Sequence, residues 1–253
     1  MLDNAKAKEL LVAQPPPFMG TEEAQRPWNL IPIRYNEHGR LLPHPFQETS
    51  IHRALKDRPL MRLWDNNSGS KPEYDGSMLA RDNELRLDTF RARKESLAHH
   101  ADYSDWSQGT PFISFSSTWE AVERNAWFRA AHDRGPQFLT VTNPNVRLIN
   151  GLPIVDIYAE MQHYRVEDPY RMEYHYYKDG YLCLWEVTPE EVVGRWKWDD
   201  LSQYINWYED IIMPAYREHE RKFFSRISQP TPLTLFSGYC EVRPIGEVAT
   251  LLQ

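Results

Sequence analysis

Residues 112–142 read FISFSSTWEAVERNAWFRAAHDRGPQFLTVT. FISFS, at 112–116, is a short apolar run set off by Gly109 and Pro111, the pattern of a strand. STWEAVERNAWFRAAHDRG, at 117–135, is predicted as a helix. Ser117 is a natural N-cap, Glu120 stands at capping-box spacing from it, and Gly135 is a natural stop. QFLTVT at 137–142 is predicted as a second strand. A strand–helix–strand unit without a glycine-rich phosphate loop points away from nucleotide-binding doubly wound folds.

Working outward, LMRLW at 60–64 reads as a strand and DNNSGSKPEYDGS after it as a loop. Residues 79–100 are rich in helix formers. After a turn at NPN come VRLI and a predicted helix at 155–164. YLCLWEV at 181–187 is the clearest strand, TPEEV a helical turn, and VGRWKW a further strand. From Asp199 the apolar residues Leu201, Tyr204, Ile205, Tyr208, Ile211, Ile212, Ala215 and Tyr216 recur at helical spacing. Pro214 should kink or break that helix near Asp210. Without regular βαβ alternation, the class is α+β: one compact domain, a mixed sheet with flanking helices. The domain is expected over 59–227. A Pro-rich arm at 1–58 precedes it, with a short helix at 1–13, and a tail at 228–253 carries one weak strand.

The 253 residues are 41% hydrophobic and 13% aromatic, enough for a real core. A net charge of −7 argues against a surface coated for nucleic acid, though not against a local basic patch. The two cysteines, Cys183 and Cys240, build neither a zinc site nor a disulfide framework. With no signal-like or membrane-spanning segment in the sequence, a cytoplasmic setting is expected.

Four groups of residues carry candidate chemistry. In WDDLSQ, Asp199 and Asp200 sit beside Trp198, and Asp200 with Gln203 matches a capping box at a helix start. A cap explains one aspartate; the other is free to hold a cation or a proton. The second group is Arg62 with Ser114 and Ser116. A nucleophilic serine needs a base within reach, and His99, His100, His132, His163 and His175 are all available, with no spacing that chooses. The third is basic: Arg81, Arg86, Arg91, Arg93 and Lys94 on one predicted helix, and Arg217, Arg221, Lys222 and Arg226 on the last, either solvated faces or phosphate contacts suited to tRNA. The fourth is the tyrosine run at 163–181, where Glu167, Asp168 and Glu173 interleave with aromatics as in a guanidinium pocket.

Two family resemblances follow. Arg62 on a first strand and Ser114-Phe115-Ser116 entering a helix resemble ADP-ribosyltransferase-like fungal domains over residues 59–200. That likeness implies NAD as cofactor. It also implies a glutamate just before YLCLWEV, where this chain has Lys178-Asp179-Gly180; Glu173 is too early and Glu186 lies inside the strand. WDDLSQ, followed by NWYEDIIMPAYREH, is similar to fungal arginine-containing cyclodipeptide synthases, whose motif is DDxxE. Asp199 and Asp200 match its aspartates, and Gln203 stands where the family has Glu. The likeness implies an enzyme of secondary metabolism without metal or cofactor. It would join arginine from arginyl-tRNA to a second amino acid, also delivered as an aminoacyl-tRNA, in a cyclic dipeptide. Asp199, Asp200, Gln203 and Ser114 are then expected at the chemistry, and Arg62, Ser116, Glu173 and Trp198 at the substrate.

Overall fold

The computed structural model describes Arg34–Tyr35, Leu41–Leu42, Ala54–Leu55 and residues 57–87 and 90–227. The expected helix at 1–13 and the tail strand after 228 lie outside the described residues. The arm region does contain a small hairpin, β1 (Arg34–Tyr35) against β2 (Leu41–Leu42).

The domain is α+β, as its pattern implies. Its centre is a six-stranded sheet. Chain order gives β3 (Leu60–Trp64), β4 (Met78–Leu79), helix α1 (Phe90–Ala101), β5 (Phe112–Ser116) and α2 (Trp119–Ala131). Next come β6 (Phe138–Thr142), α3 (Pro144–Ile149), β7 (Ile154–Asp156) and α4 (Ile157–Tyr164). β8 (Gly180–Leu184), β9 (Glu186–Val187), β10 (Val192–Lys197), α5 (Trp198–Leu201) and α6 (Met213–Ile227) close the fold. The spatial order in the sheet is β10-β6-β3-β5-β8-β7; β4 pairs with β9 separately. The expected mixture of strand directions resolves to antiparallel pairing throughout.

Strand alternation divides the core. Leu60, Ile113, Phe115 and Cys183 pack with Leu55, Met78 and Leu148. Phe112, Leu182 and Leu184 pack with Leu97 and Ala101 of α1 and Met161 and Tyr164 of α4. Met61, Leu63, Leu139 and Val141 meet Val122 and Ala126 of α2 and Trp207, Ile211 and Ile212. Leu55 is fully buried, so the core begins a few residues before the expected boundary at 59.

The strand–helix–strand unit stands as read, but its cap does not. Thr118, not Ser117, is the N-cap of α2, and it makes no side-chain cap bond. Ser117 is still held by the strand layer: its N–H and hydroxyl both donate to Asp179 O, at 3.0 and 3.2 Å. The helix expected over 79–100 is confined to α1, because residue 79 belongs to β4. The turn expected at NPN is the start of a short helix that runs through VRLI: Asn143 accepts from the Asn145 N–H at 2.9 Å and Pro144 fits the first turn. YLCLWEV is two strands. Trp185 between them has φ +62 and is fixed by three hydrogen bonds: its N–H to Pro111 O, its indole N–H to Leu85 O, and Ala80 N–H onto its own carbonyl.

The helix expected from Asp199 ends at Leu201 and residues 202–206 are turns; helical winding resumes at Trp207 and runs on into α6, so the chain is not broken near Asp210. Residues 208–212 form a π-turn directly before α6, the wider winding that absorbs a missing backbone donor. One buried cation ties several elements together. Arg147 donates from Nε to Pro153 O, from Nη2 to Leu184 O, and from Nη1 to Glu186 O and both oxygens of Glu191, all within 3.0 Å.

Candidate functional site

β3 and β5 share a single register pair, Met61↔Ser116. Past it the strands diverge and leave β5 carbonyls without a strand partner. Arg62 fills the wedge: Nη1 donates to Ser114 O at 2.9 Å and Nη2 to Ser70 O at 3.1 Å. Its Nε is buried with no acceptor among the described residues. Burial, and secondarily the charge of Arg129, lowers the Arg62 pKa to about 10, so the group stays a cation at neutral pH.

From α1, His100 reaches Ser114. His100 Nε2 lies 2.6 Å from Ser114 Oγ, and its Nδ1 lies 2.7 Å from Thr110 Oγ1. The ring meets Phe112 edge-on, with centroids 5.4 Å apart. Burial, then the charges of Arg62 and Arg81, hold the His100 pKa down near 3, so the imidazole is neutral at physiological pH. Ser114 itself is partly exposed. Ser114, His100 and Thr110 have the hydrogen-bond order of a nucleophile, its base and an orienting hydroxyl, with an imidazole that its low pKa makes a weak base. Tyr103, half exposed, lies within electrostatic reach of Arg62.

Of the five histidines, the structure selects His100. His99 is spent on Asp105, at 2.8 Å. Arg93, Ser96, Leu97 and Ala101 are the buried residues of α1, and His100 flanks that stripe. Helical spacing from Arg93 and Leu97 puts His100 on the buried side of α1, a signal that can be read only once those two residues are known to be buried. Thr110 carried no such signal.

The other expected residues lie elsewhere. Ser116 sits at the far end of β5, paired with Met61 and Gly180, without a side-chain hydrogen bond among the described residues. Glu173 is exposed, at φ 51 in the turns after α4. Asp199 and Asp200 lie in the single turn α5, which follows the edge strand β10, two strands away from β3. Both are exposed, and Lys197 Nζ stands 3.7 Å from Asp199 Oδ2. The expected capping box is not formed. β10 runs straight into α5, so Lys197 occupies the cap position and the aspartates fall in the first turn, near the helix's positive end. Gln203 donates to Asp199 O at 2.9 Å instead. Trp198 packs edge-on against Trp207, centroids 5.4 Å apart.

The basic stripe at 81–94 is not one face. Arg93 is buried on Leu87 O and Tyr164 Oη, Arg91 pairs with Glu95, and Arg81 lies 5.0 Å over the Trp106 ring. On α6, Arg221 and Lys222 both pair with Glu218. Nor does the tyrosine run form a guanidinium pocket with Asp168, whose carboxylate accepts the N–H groups of Tyr170, Met172 and Tyr174. Tyr177 is fully buried and donates to Ala101 O.

Comparison of the chain with protein-family models, curated proteins and solved structures gave no match. Among the described residues no cluster of His, Cys, Asp or Glu could hold a metal ion, and no helix is long and apolar enough to cross a membrane.

Proposed function

We propose that the chain is an acyl-transfer enzyme with Ser114 as acyl acceptor, and that its reaction is tRNA-dependent cyclodipeptide synthesis from arginyl-tRNA and a second aminoacyl-tRNA. The observation that carries the acyl transfer is the 2.6 Å contact between His100 Nε2 and Ser114 Oγ. The substrate class rests on the resemblance of the WDDLSQ segment. With its proton on Nδ1, directed to Thr110, His100 offers Nε2 as the base. Ser114 Oγ attacks the aminoacyl ester carbonyl, its proton passes to His100, and the tRNA 3′-terminal oxygen leaves with that proton. The positive field of Arg62 favours the oxyanion formed on the way. The amine of the second aminoacyl group then attacks the seryl ester. The remaining amine closes on the remaining ester, which releases the cyclic product and the second tRNA. The esters are already activated, so ATP is needed only by the synthetases that make them. Asp199 and Asp200, exposed beside Trp198, serve in this reading to meet a cationic group of the substrate at the surface.

A second reading keeps the same residues. Arg62 bridging the wedge to Ser114 O suits an NAD-binding transferase. Against it, Asp65 is the one carboxylate among the described residues whose charge bears on Arg62, and Asp65 is committed to Arg129 and Arg134. Among the described residues no glutamate is paired with Arg62 or Ser114 to steady an oxocarbenium ion.

The test supplies the protein with tRNA, synthetases, ATP and amino acids, and seeks an arginine-containing diketopiperazine by mass spectrometry. Intact-protein mass should show an aminoacyl adduct that Ser114→Ala lacks, with product formation down by ~10³-fold or more. Product at an undiminished rate from Ser114→Ala removes the acyl-serine. Hydrolysis of NAD by a protein that makes no diketopiperazine favours the second reading.

A further inference from the structure

The loop after β3 holds a second cationic centre, separate from Ser114. Asp65 is completely buried. It carries two guanidinium groups: Arg129 of α2, through Nη1 on Oδ2, and Arg134 of the following turn, through Nη2 on Oδ1 at 3.1 Å. Arg134 Nε stands 2.9 Å from Asp65 Oδ2 without the alignment of a hydrogen bond. Ser68 completes the cluster, accepting from Arg129 Nη1 at 3.1 Å and donating to Asp65 Oδ1 at 3.2 Å. Arg129 Nε is directed to Asn125 Oδ1. Arg129 Nη2 and Arg134 Nη1 are left with no acceptor among the described residues.

The charges do not balance. Two arginines share one carboxylate, and among the described residues Asp65 is the only acid whose charge bears on Arg129. Arg62 adds a third cation, near enough that the charge of Arg129 depresses its pKa, and Arg62 is itself anchored to this loop through Ser70 O. A clamp that merely ties the loop to α2 needs one guanidinium. The second, in a protein of net charge −7, concentrates positive potential at one spot. The side chains of Arg129 and Arg134 are 12% and 22% exposed, so Asp65 fixes both guanidinium groups while part of each side chain still meets solvent. Two pre-oriented planar forks with free N–H groups match the three terminal oxygens of a phosphate better than a single carboxylate.

We propose that Arg129 and Arg134, set on the buried Asp65, form a seat for one phosphate group of a nucleotide-bearing ligand. The phosphate could belong to the 3′ end of an RNA or to a dinucleotide pyrophosphate. The seat is independent of the acyl-transfer reading: it is read by binding, and either can fail alone.

Calorimetry at low salt with inorganic pyrophosphate, a tRNA acceptor-stem minihelix and NAD tests it on the wild type and on Arg134→Ala. Pyrophosphate should bind the wild type and bind the variant at least ~10-fold more weakly, the scale of one lost charge-assisted contact. Whichever of the minihelix and NAD uses the seat should weaken in parallel. If it is the minihelix, the slope of log affinity against log salt should fall by roughly 0.7–0.9 for the lost phosphate contact. Equal binding of pyrophosphate by both proteins, or none by the wild type, overturns the seat. A loss confined to pyrophosphate overturns its nucleotide assignment. Phenylglyoxal labelling of the wild type, mapped by mass spectrometry, gives a second measurement free of any folding defect. Pyrophosphate should protect Arg134, and unchanged labelling counts against the seat.

Discussion

Arg147 and Arg62 are both arginines walled into the sheet domain, and they are treated in opposite ways. Arg147 is fully buried and matched: Glu191 supplies both carboxylate oxygens and three carbonyls take the other donors. Burial lowers its pKa, the charge of Glu191 raises it, and the net shift is upward. Among the described residues Arg62 has two carbonyls, no carboxylate partner and no acceptor for Nε, and its pKa falls to about 10. A charge that closes its own circuit holds a fold together. A charge left open is an expense to the fold and has positive field to spare for a ligand.

The largest expected effect breaks the closed side of that comparison. Arg147→Met leaves Glu191 buried and unpaired, with several carbonyls short of donors. It should cost about 3–5 kcal/mol, a large part of a small domain's stability. Urea denaturation of the soluble fraction measures it, and the double variant Arg147→Met/Glu191→Met should recover part of the loss. Arg62→Met removes an unpaired desolvated charge and two hydrogen bonds, so the two effects offset. Its unfolding free energy should move by no more than about 1–2 kcal/mol in either direction, while the proposed Ser114-dependent activity falls. A loss of stability as large as that of Arg147→Met would make Arg62 a second structural clamp.

Acid sharpens the same contrast at His100. Its folded pKa, near 3, lies below the unfolded value of 6.5. Above pH 6.5 the ring is neutral in both states and contributes no pH dependence. As pH falls from 6.5 towards 3, the unfolded chain takes up a proton that the folded chain refuses, so stability declines. His219, held down near 4 chiefly by burial, acts in the same direction. His100→Gln should therefore flatten the decline of the thermal midpoint between pH 6.5 and 4. A pH profile as steep as that of the wild type would mean that His100 is protonated in the folded protein. For the reaction, a neutral His100 places the acid limb of kcat/KM well below pH 6.5.

How much of this was legible depends on the range of the interaction that fixes each part. FISFS, α2 and QFLTVT are written locally, in apolar runs and helix formers between Gly and Pro, and they stand where the sequence places them. The wider winding at 208–212 was legible for the same reason, because Pro214 acts on its own chain neighbours, whereas the turns at 202–206 carried no such signal. Caps were not: Ser117 and Asp200 match the motif, but strand contacts and the run of β10 into α5 decide which residue enters the helix first. Arg62 and Ser114 were singled out from chain pattern, yet their junction comes from the divergence of β3 and β5, a property of six strands together. His100 joins Ser114 across the fold, and a one-dimensional reading left it among five histidines. Asp65, Arg129 and Arg134 passed unnoticed because their meaning lies in a charge imbalance that exists only after folding.

The smallest expected effect is at Gln203, the residue that departs from the DDxxE pattern. Its Nε2 donates to Asp199 O, on an exposed turn. Gln203→Glu exchanges that donor for a second acceptor and adds a negative charge near Asp199 and Asp200. The lost hydrogen bond and the repulsion together should cost no more than about 1 kcal/mol at the surface. Stability therefore moves little, and any change in diketopiperazine formation reports chemistry rather than folding. If the acids of this turn meet a cationic substrate, a third one should tighten it, and KM for the arginyl substrate should fall about two- to fivefold at low salt, with the gain lost at high salt. An unchanged KM, together with full activity in Asp199→Asn and Asp200→Asn, would leave the turn as surface. The reaction would then rest on the wedge between β3 and β5 alone.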